Sequence, residues 1–376
     1  MTAALAALAL PSIDFAFAAP KDPKDQYPAK VVDLVQRSIV IDMLGPLKLD
    51  FRPEAYAGPL TEAEAAMFRS SGITCFHNSV GVGGPEAYDD ALQFIAAWSG
   101  FAGRNSDVFT LVGRAEDIDH AKAKQKIAVI MGLQNASEFR EPKDVKAFYQ
   151  LGLRCAQLTY NNQNYIGGGS TDRVDGGISD YGVEIIKAMN EVGMLIDVSH
   201  SGDRTTLDAI ELSPKPIAFT HSNCRALNDH PRLKTDEAIK KLAAKGGVMG
   251  ITGVRNFVKD KEPTTVEDIV DHIDHVVKLV GIEHVGIGTD SDLMGYDHMP
   301  ADQYKQLKAG YKASYAFRDK IDTDGFNHPR KMYDLTAALV RRGYNDTNIQ
   351  AVLGGNFRRL LGSTWIEMQN KRGEKS

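Results

Sequence analysis

Leu195-Ile-Asp-Val-Ser-His200 and, one helical pattern further on, Pro216-Ile-Ala-Phe-Thr-His221 each place a histidine directly after a short apolar run rich in Ile, Val or Phe. Such runs read as buried parallel strands, and in alternating β/α chains the side chains that do chemistry project from the carboxyl ends of strands. Two neighbouring strands would aim both imidazoles into one mouth, which makes His200 and His221 candidate metal ligands. One histidine after a strand is ordinarily a satisfied polar residue. The repetition points to a site.

Working outward, apolar runs recur at 38–43, 73–76, 127–133, 155–159, 194–198, 216–220, 248–252 and 284–288. Between them lie stretches with apolar positions at helical spacing, such as 181–192, 236–245 and 266–280. The runs number what a closed parallel barrel requires, so the expected fold class is α/β, a TIM-like (β/α)8 barrel. No composition shift or Pro/Ser-rich linker divides the chain, and residues 20–376 read as one barrel domain. Two irregular segments, 161–180 and 295–330, exceed ordinary βα loops and are expected at the carboxyl face as lids or substrate walls.

Residues 1–19 stand apart, because Ala3-Ala-Leu-Ala-Ala-Leu-Ala-Leu10 followed by Ala16-Phe-Ala-Ala19 reads as an export signal lacking a basic n-region. The expected location is periplasmic or secreted, and cytoplasmic if that segment is not a signal. The run is about half the length that crosses a bilayer, and no later segment is longer, so the mature chain is expected to carry no integral membrane segment. A net charge of −5 and the absence of a Lys/Arg block exclude a general nucleic-acid binder. Cys75, Cys155 and Cys224 form no CxxC pair or disulfide framework.

The strand ends carry Asp42 and Leu44, His77, Gln134, Tyr160, His200, His221, Thr252 with Arg255, and Asp290. Imidazole and carboxylate are the usual protein ligands of catalytic zinc, a set His200, His221 and Asp290 would supply. Asp290, after Val285-Gly-Ile-Gly-Thr289, is equally a candidate general base, and Asp292 is placed to share its work. His272 and His275 fall on a helical pattern and read as a solvated helix face.

Four stretches, Gly193-Met-Leu-Ile-Asp-Val-Ser-His200, Pro216-Ile-Ala-Phe-Thr-His-Ser222, Val285-Gly-Ile-Gly-Thr-Asp-Ser-Asp292 and Leu353-Gly-Gly-Asn-Phe-Arg358, together resemble the membrane or renal dipeptidases. These are zinc exopeptidases on a TIM-like barrel within the amidohydrolase group, and the resemblance spans about residues 30–365. It implies that His200 and His221 are the histidines of the second zinc site and that Asp290 lies beside the metal site. It also implies that Arg232, in His230-Pro-Arg232, helps hold a substrate carboxylate, and that dimers are common.

The departures fall on site positions. The family's Asp-Gly-His-Asn-Asp, which supplies first-site ligands, aligns with Asp42-Met-Leu44-Gly-Pro46, and the glutamate bridging the metals aligns with Gln134. A divalent ion in the first site would lack anionic compensation, so that site is expected empty, with one zinc held by His200, His221, Gln134 and Asp290. A catalytic histidine aligns with Tyr160, a candidate substrate contact and oxyanion donor, and His77 is a candidate replacement for lost polar groups.

The reading is thus a divergent, bacterial-type member: a metal-dependent dipeptidase-like hydrolase of a small amide or dipeptide, with Asp290, Tyr160 and His77 catalytic and Arg232, Tyr160 and Asp292 contacting substrate. Two alternatives share the barrel. One is a non-hydrolytic or peptide-modifying descendant, for example in periplasmic maturation of peptide siderophores. The other is a metal-free binder of small peptides.

Overall fold

The computed structural model describes residues 22–50, 53–81 and 83–365, so the export segment assigned to 1–19 lies outside it. Among the described residues nine strands follow in chain order: β1 Ile41–Asp42, β2 Cys75–Val80, β3 Phe109–Leu111, β4 Ile127–Leu133, β5 Leu153–Gln157, β6 Leu195–Asp197, β7 Ala218–Ser222, β8 Val248–Ile251 and β9 Val285–Ile287. All pairings between them are parallel. Because β1 pairs with both β2 and β9, and β2 with β4, the ring β1-β2-β4-β5-β6-β7-β8-β9 closes as an eight-stranded barrel with helices around it. The eight apolar runs read from the sequence are these eight strands.

The additional strand was not legible. β3 pairs Phe109–Leu111 with Ile127–Val129, along the first half of β4, while β5 takes up β4 from Met131 onward. Three residues between two helices carry too short a pattern to read as a strand.

Alternation along the strands divides the core. Ile41, Cys75, Ala128, Ile130, Cys155, Leu195, Ala218 and Val248 pack with Phe357, Leu360 and Leu361, whereas Phe76, Val129, Met131, Ile196, Phe219 and Met249 pack with the surrounding helices. The motif Leu353-Gly-Gly-Asn-Phe-Arg358 seats the last helix, Asn356–Thr364, on the amino end of the barrel. A Cβ on Gly354 would sit 2.4 Å from the Ile39 carbonyl oxygen, and one on Gly286 would sit 2.5 Å from the Phe357 ring. Asn356 Nδ2 donates to Ile282 O and Val285 O, both at 2.7 Å. With this end sealed, access is left to the carboxyl end.

His272 corrects the sequence reading. It is buried, its Nε2 donates to Val258 O at 2.8 Å and its Nδ1 accepts from Cys224 N at 3.2 Å. It ties two backbone segments together instead of facing solvent.

Phe357→Ala is expected to cost about 3–5 kcal/mol by removing a buried ring that nothing else can replace. Denaturant unfolding measures this, and a loss under about 1 kcal/mol would show that the ring does not close the floor.

Candidate active site

β6 and β7 end at the two histidines. Their Nε2 atoms lie 2.9 Å apart, both rings are buried, and burial followed by the nearby Arg232 cation holds both well below the ordinary imidazole range. The rings are therefore neutral at pH 7 and available as ligands or hydrogen-bond partners. Behind His221, Nδ1 meets Thr220 Oγ1 at 2.8 Å, and that hydroxyl donates to Asp197 Oδ2 at 2.5 Å. Behind His200, Nδ1 has two neighbours: Asn161 Oδ1 at 2.7 Å and Arg232 Nε at 3.1 Å.

Those two neighbours define two tautomers. Arginine only donates, so when Arg232 bonds His200 Nδ1 the ring proton sits on Nε2 and is shared with His221. When Nδ1–H donates to Asn161 instead, both Nε2 lone pairs converge. Convergent lone pairs repel unless a cation lies between them, and ligating histidines characteristically donate their other N–H to a neighbouring acceptor. Two nitrogens on one tetrahedral zinc at about 2.0–2.1 Å stand about 3.3–3.4 Å apart, so the hydrogen-bonded pair at 2.9 Å would open by about 0.4 Å to chelate an ion. The donor chemistry at this pair suits zinc. Among the described residues, however, no group of three His, Cys, Asp or Glu side chains is brought together to hold a metal.

Asp290 enters from the end of β9 with φ +60°, its N–H donating to Leu44 O at 2.8 Å. Burial raises its carboxyl pKa to about 7; Arg232 opposes this, and Asp42 and Asp197 add to it. The side chain lines a cavity of about 410 Å³ together with Pro46, Gln134, Tyr160, Tyr296, Tyr311 and Tyr315. Tyr160 stacks on His200 with centroids 4.1 Å apart, and its hydroxyl shares a 2.7 Å hydrogen bond with Tyr311. Burial also raises the Tyr160 hydroxyl well above the usual phenol range, so it keeps its proton.

The other residues singled out in the sequence lie as follows. Gln134 Nε2 donates to Ser79 O at 3.3 Å, and its Oε1 accepts from Gln157 at 3.4 Å. His77 lies deeper: Nδ1 donates to Met43 O at 2.7 Å, and Nε2 has no partner among the described residues and abuts Gly132, where a Cβ would stand 1.8 Å from it. Asp292 turns away from the cavity to accept from Leu49, Met294 and Gly295 backbone N–H groups. Arg232 is fully buried and spends its donors on His200 Nδ1, Ser199 O and His221 O. Leu44 is buried, and Pro46 stands in the cavity wall.

Sequence reasoning missed Asp197, Asn161 and the tyrosines of the long loop. Asp197 was visible as an acidic residue inside an apolar strand, a placement that demands buried partners. Tyr296, Tyr311 and Tyr315 gave no local signal.

A closed parallel barrel with an imidazole pair, a carboxyl and tyrosines at its carboxyl mouth belongs to the broad class of α/β-barrel proteins whose sites are built on strand ends. A profile of the family described as membrane dipeptidase (peptidase family M19) matches residues 31–309, and the chain belongs to this family. "Dipeptidase verJ" of Clonostachys rogersoniana is 30% identical over 263 residues, 69% of this chain and 61% of that protein. The chain spans less than two thirds of the length of the curated relatives it matches. A crystal structure of an amidohydrolase from Pseudomonas aeruginosa is 32% identical with TM-score 0.77, covering 89% of this chain and 99% of that one. The probable dipeptidase PvdM from the same organism shares the fold at 21% identity and TM-score 0.75, covering 90% of this chain and 99% of that one.

Because the carboxyl of Asp290 ionises near pH 7 in the fold and near 4 when unfolded, charging it costs stability that is intact at low pH and lost as pH rises through about 7. In metal-free protein, Asp290→Asn is therefore expected to raise Tm more at about pH 8 than at about pH 5. A pH-independent difference would show that the carboxyl titrates normally.

Proposed function

We propose that the protein is a metal-dependent, dipeptidase-like hydrolase that cleaves a small amide or dipeptide and works with one zinc ion. The observation that carries this reading is the neutral imidazole pair, Nε2 to Nε2 2.9 Å, with Tyr160, which lines the cavity that also holds Asp290, stacked on His200. His200 and His221 would hold the ion, with Asn161 and Thr220 orienting their rings, and Gln134 and Asp290 are the candidates to complete the set. The chemistry zinc supplies at such a pair is Lewis acidity toward a carbonyl.

The remaining work falls to the chain. Asp290, whose carboxyl burial raises to about 7 in the metal-free fold, would accept a proton from attacking water and return it to the leaving amine. Tyr160, protonated and stacked on His200, is placed to donate to the oxygen on which negative charge develops. Arg232 sits behind the pair, bonded to Ser199 O and His221 O, and its contact to His200 Nδ1 belongs to the metal-free tautomer, since a ligating His200 gives Nδ1–H to Asn161. Asp292 shapes the turn after Asp290, and His77 fills the barrel beneath the mouth.

Leu44, Pro46 and Gln134 leave the first metal position of the family without anionic donors, which supports a single ion. Among the described residues no helix is long and apolar enough to cross a membrane. The leader-like run in residues 1–19 supports export.

Hydrolysis of a dipeptide panel, before and after chelation and with zinc restored, tests the reading. The expected result is activity lost on chelation, regained with zinc, and reduced about 100-fold or more in His221→Ala. Activity unchanged by chelation, or retained in His221→Ala, would overturn it. Leu44→His, Pro46→Asp and Gln134→Glu combined are expected to add a second bound zinc, seen by metal analysis. A stoichiometry left unchanged would contradict the assignment of these positions.

A further inference from the structure

Two phenols at the barrel mouth share one hydrogen bond. Tyr160 and Tyr311 bring their hydroxyl oxygens to 2.7 Å, and both residues line the inner cavity of about 410 Å³ that also holds Asp290. Burial holds both hydroxyls above the ordinary phenol range, so both keep their protons at neutral pH. Each hydroxyl carries one proton and two lone pairs. The mutual bond uses one of the two protons, which leaves one O–H of the pair to donate elsewhere.

The two rings are held by different parts of the chain. Tyr160 follows β5 and stacks on His200, centroids 4.1 Å apart with 21° between the planes, so its ring is fixed relative to the imidazole pair. It also stands where the inner cavity meets an outer depression of about 1570 Å³ walled by Asn162, Asn164 and Tyr165. Tyr311 comes from the long loop 295–330, where its ring lies 4.5 Å from that of Tyr315 and edge-on to Phe317 at 5.2 Å. Tyr315 O in turn accepts from His230 Nε2 at 3.0 Å and Asn256 Nδ2 at 2.7 Å, which anchors this aromatic platform to the barrel's own loops. Next in the chain, Lys312 Nζ donates to Thr171 O at 3.3 Å and ties the same stretch to the other long loop. The Tyr311 hydroxyl is therefore delivered to Tyr160 by a supported surface.

We propose that Tyr311 is a positioning residue for catalysis: its hydroxyl donates to the Tyr160 oxygen, and the Tyr160 proton is thereby turned to the substrate oxygen on which negative charge develops. This rests on the reading of Tyr160 as the oxyanion donor and adds the group that sets its proton. As Tyr160 donates to an oxygen gaining charge, its own oxygen becomes a better acceptor, so the bond from Tyr311 tightens with it. An interaction that strengthens only as charge develops raises kcat and leaves ground-state binding alone.

The test measures kcat and KM for dipeptide hydrolysis by the zinc-supplemented full chain and, by calorimetry, its binding of a phosphinate dipeptide mimic, whose tetrahedral anionic centre resembles the developing charge. Tyr311→Phe removes the hydroxyl and keeps the ring of a half-buried residue. It is expected to lower kcat about tenfold and weaken phosphinate binding about tenfold, with KM moved less than about twofold. Tyr160→Phe is expected to cost about 100-fold in kcat, and the double variant no more than about twofold beyond that, because Tyr311 acts through an oxygen that is gone. A kcat or a phosphinate affinity unmoved in Tyr311→Phe, a loss confined to KM, losses that multiply in the double variant, or a phosphinate that does not bind overturns the inference. The two readings fail differently. If the protein cleaves no dipeptide while the phosphinate affinities of the three variants follow this pattern, the hydrolase reading falls and the action of Tyr311 through Tyr160 on a tetrahedral anion stands. Dipeptide cleavage that Tyr311→Phe leaves unchanged defeats this inference alone.

Discussion

Between β6 and β7 the backbone ladder contracts to one registered pair, Asp197 opposite Ala218, and a buried carboxylate does what the ladder does not. Asp197 Oδ1 accepts from Ser199 N at 2.9 Å, Ser199 Oγ at 2.6 Å and Thr220 N at 3.1 Å, while Oδ2 accepts from Thr220 Oγ1 at 2.5 Å. Hydrogen bonds to a charged group contribute about 1.5–3 kcal/mol each, and in a dry interior the set is rigid. Both histidines hang on it. Ser199 precedes His200 and Thr220 precedes His221, so the geometry of the pair is inherited from one side chain.

A second seam repeats the device. β1 and β9 share one registered pair, Asp42 opposite Ile287, and Asp42 bonds Thr289 N at 2.8 Å, Thr289 Oγ1 at 2.7 Å and Leu44 N at 3.3 Å. Thr289 precedes Asp290 as Thr220 precedes His221. Where strands part to open a mouth, an aspartate and the neighbouring strand's threonine hold the edges together, and the side chains that do chemistry follow directly. Burial that stabilises this frame also shifts its groups: the imidazoles stay neutral, and Asp290 is poised near pH 7.

Much of this was legible in the sequence. The strands of the ring announce themselves as apolar runs because parallel strands are buried on both faces, and the two histidines declare themselves by repetition. The partners were hidden because they come from distant segments: Asn161 meets His200, and Tyr311 meets Tyr160 across 151 residues of chain. Both long loops were read as walls, and both supply them, 161–180 to the outer depression and 295–330 to the inner cavity. Which side chains those loops present is decided by tertiary packing. β3 and buried His272 escaped for the same reason, since a three-residue strand and a backbone bridge leave no periodic trace.

The central claim is that His200 and His221 form one two-nitrogen site whose empty tautomer is the hydrogen-bonded pair and whose loaded tautomer is a chelate. X-ray absorption at the zinc edge of the zinc-loaded full chain tests it most directly. The account predicts two imidazole nitrogens in the first shell at about 2.0–2.1 Å, both lost in Asp197→Asn if the seam is broken. Zinc that fails to bind, or a first shell without imidazole, would contradict it.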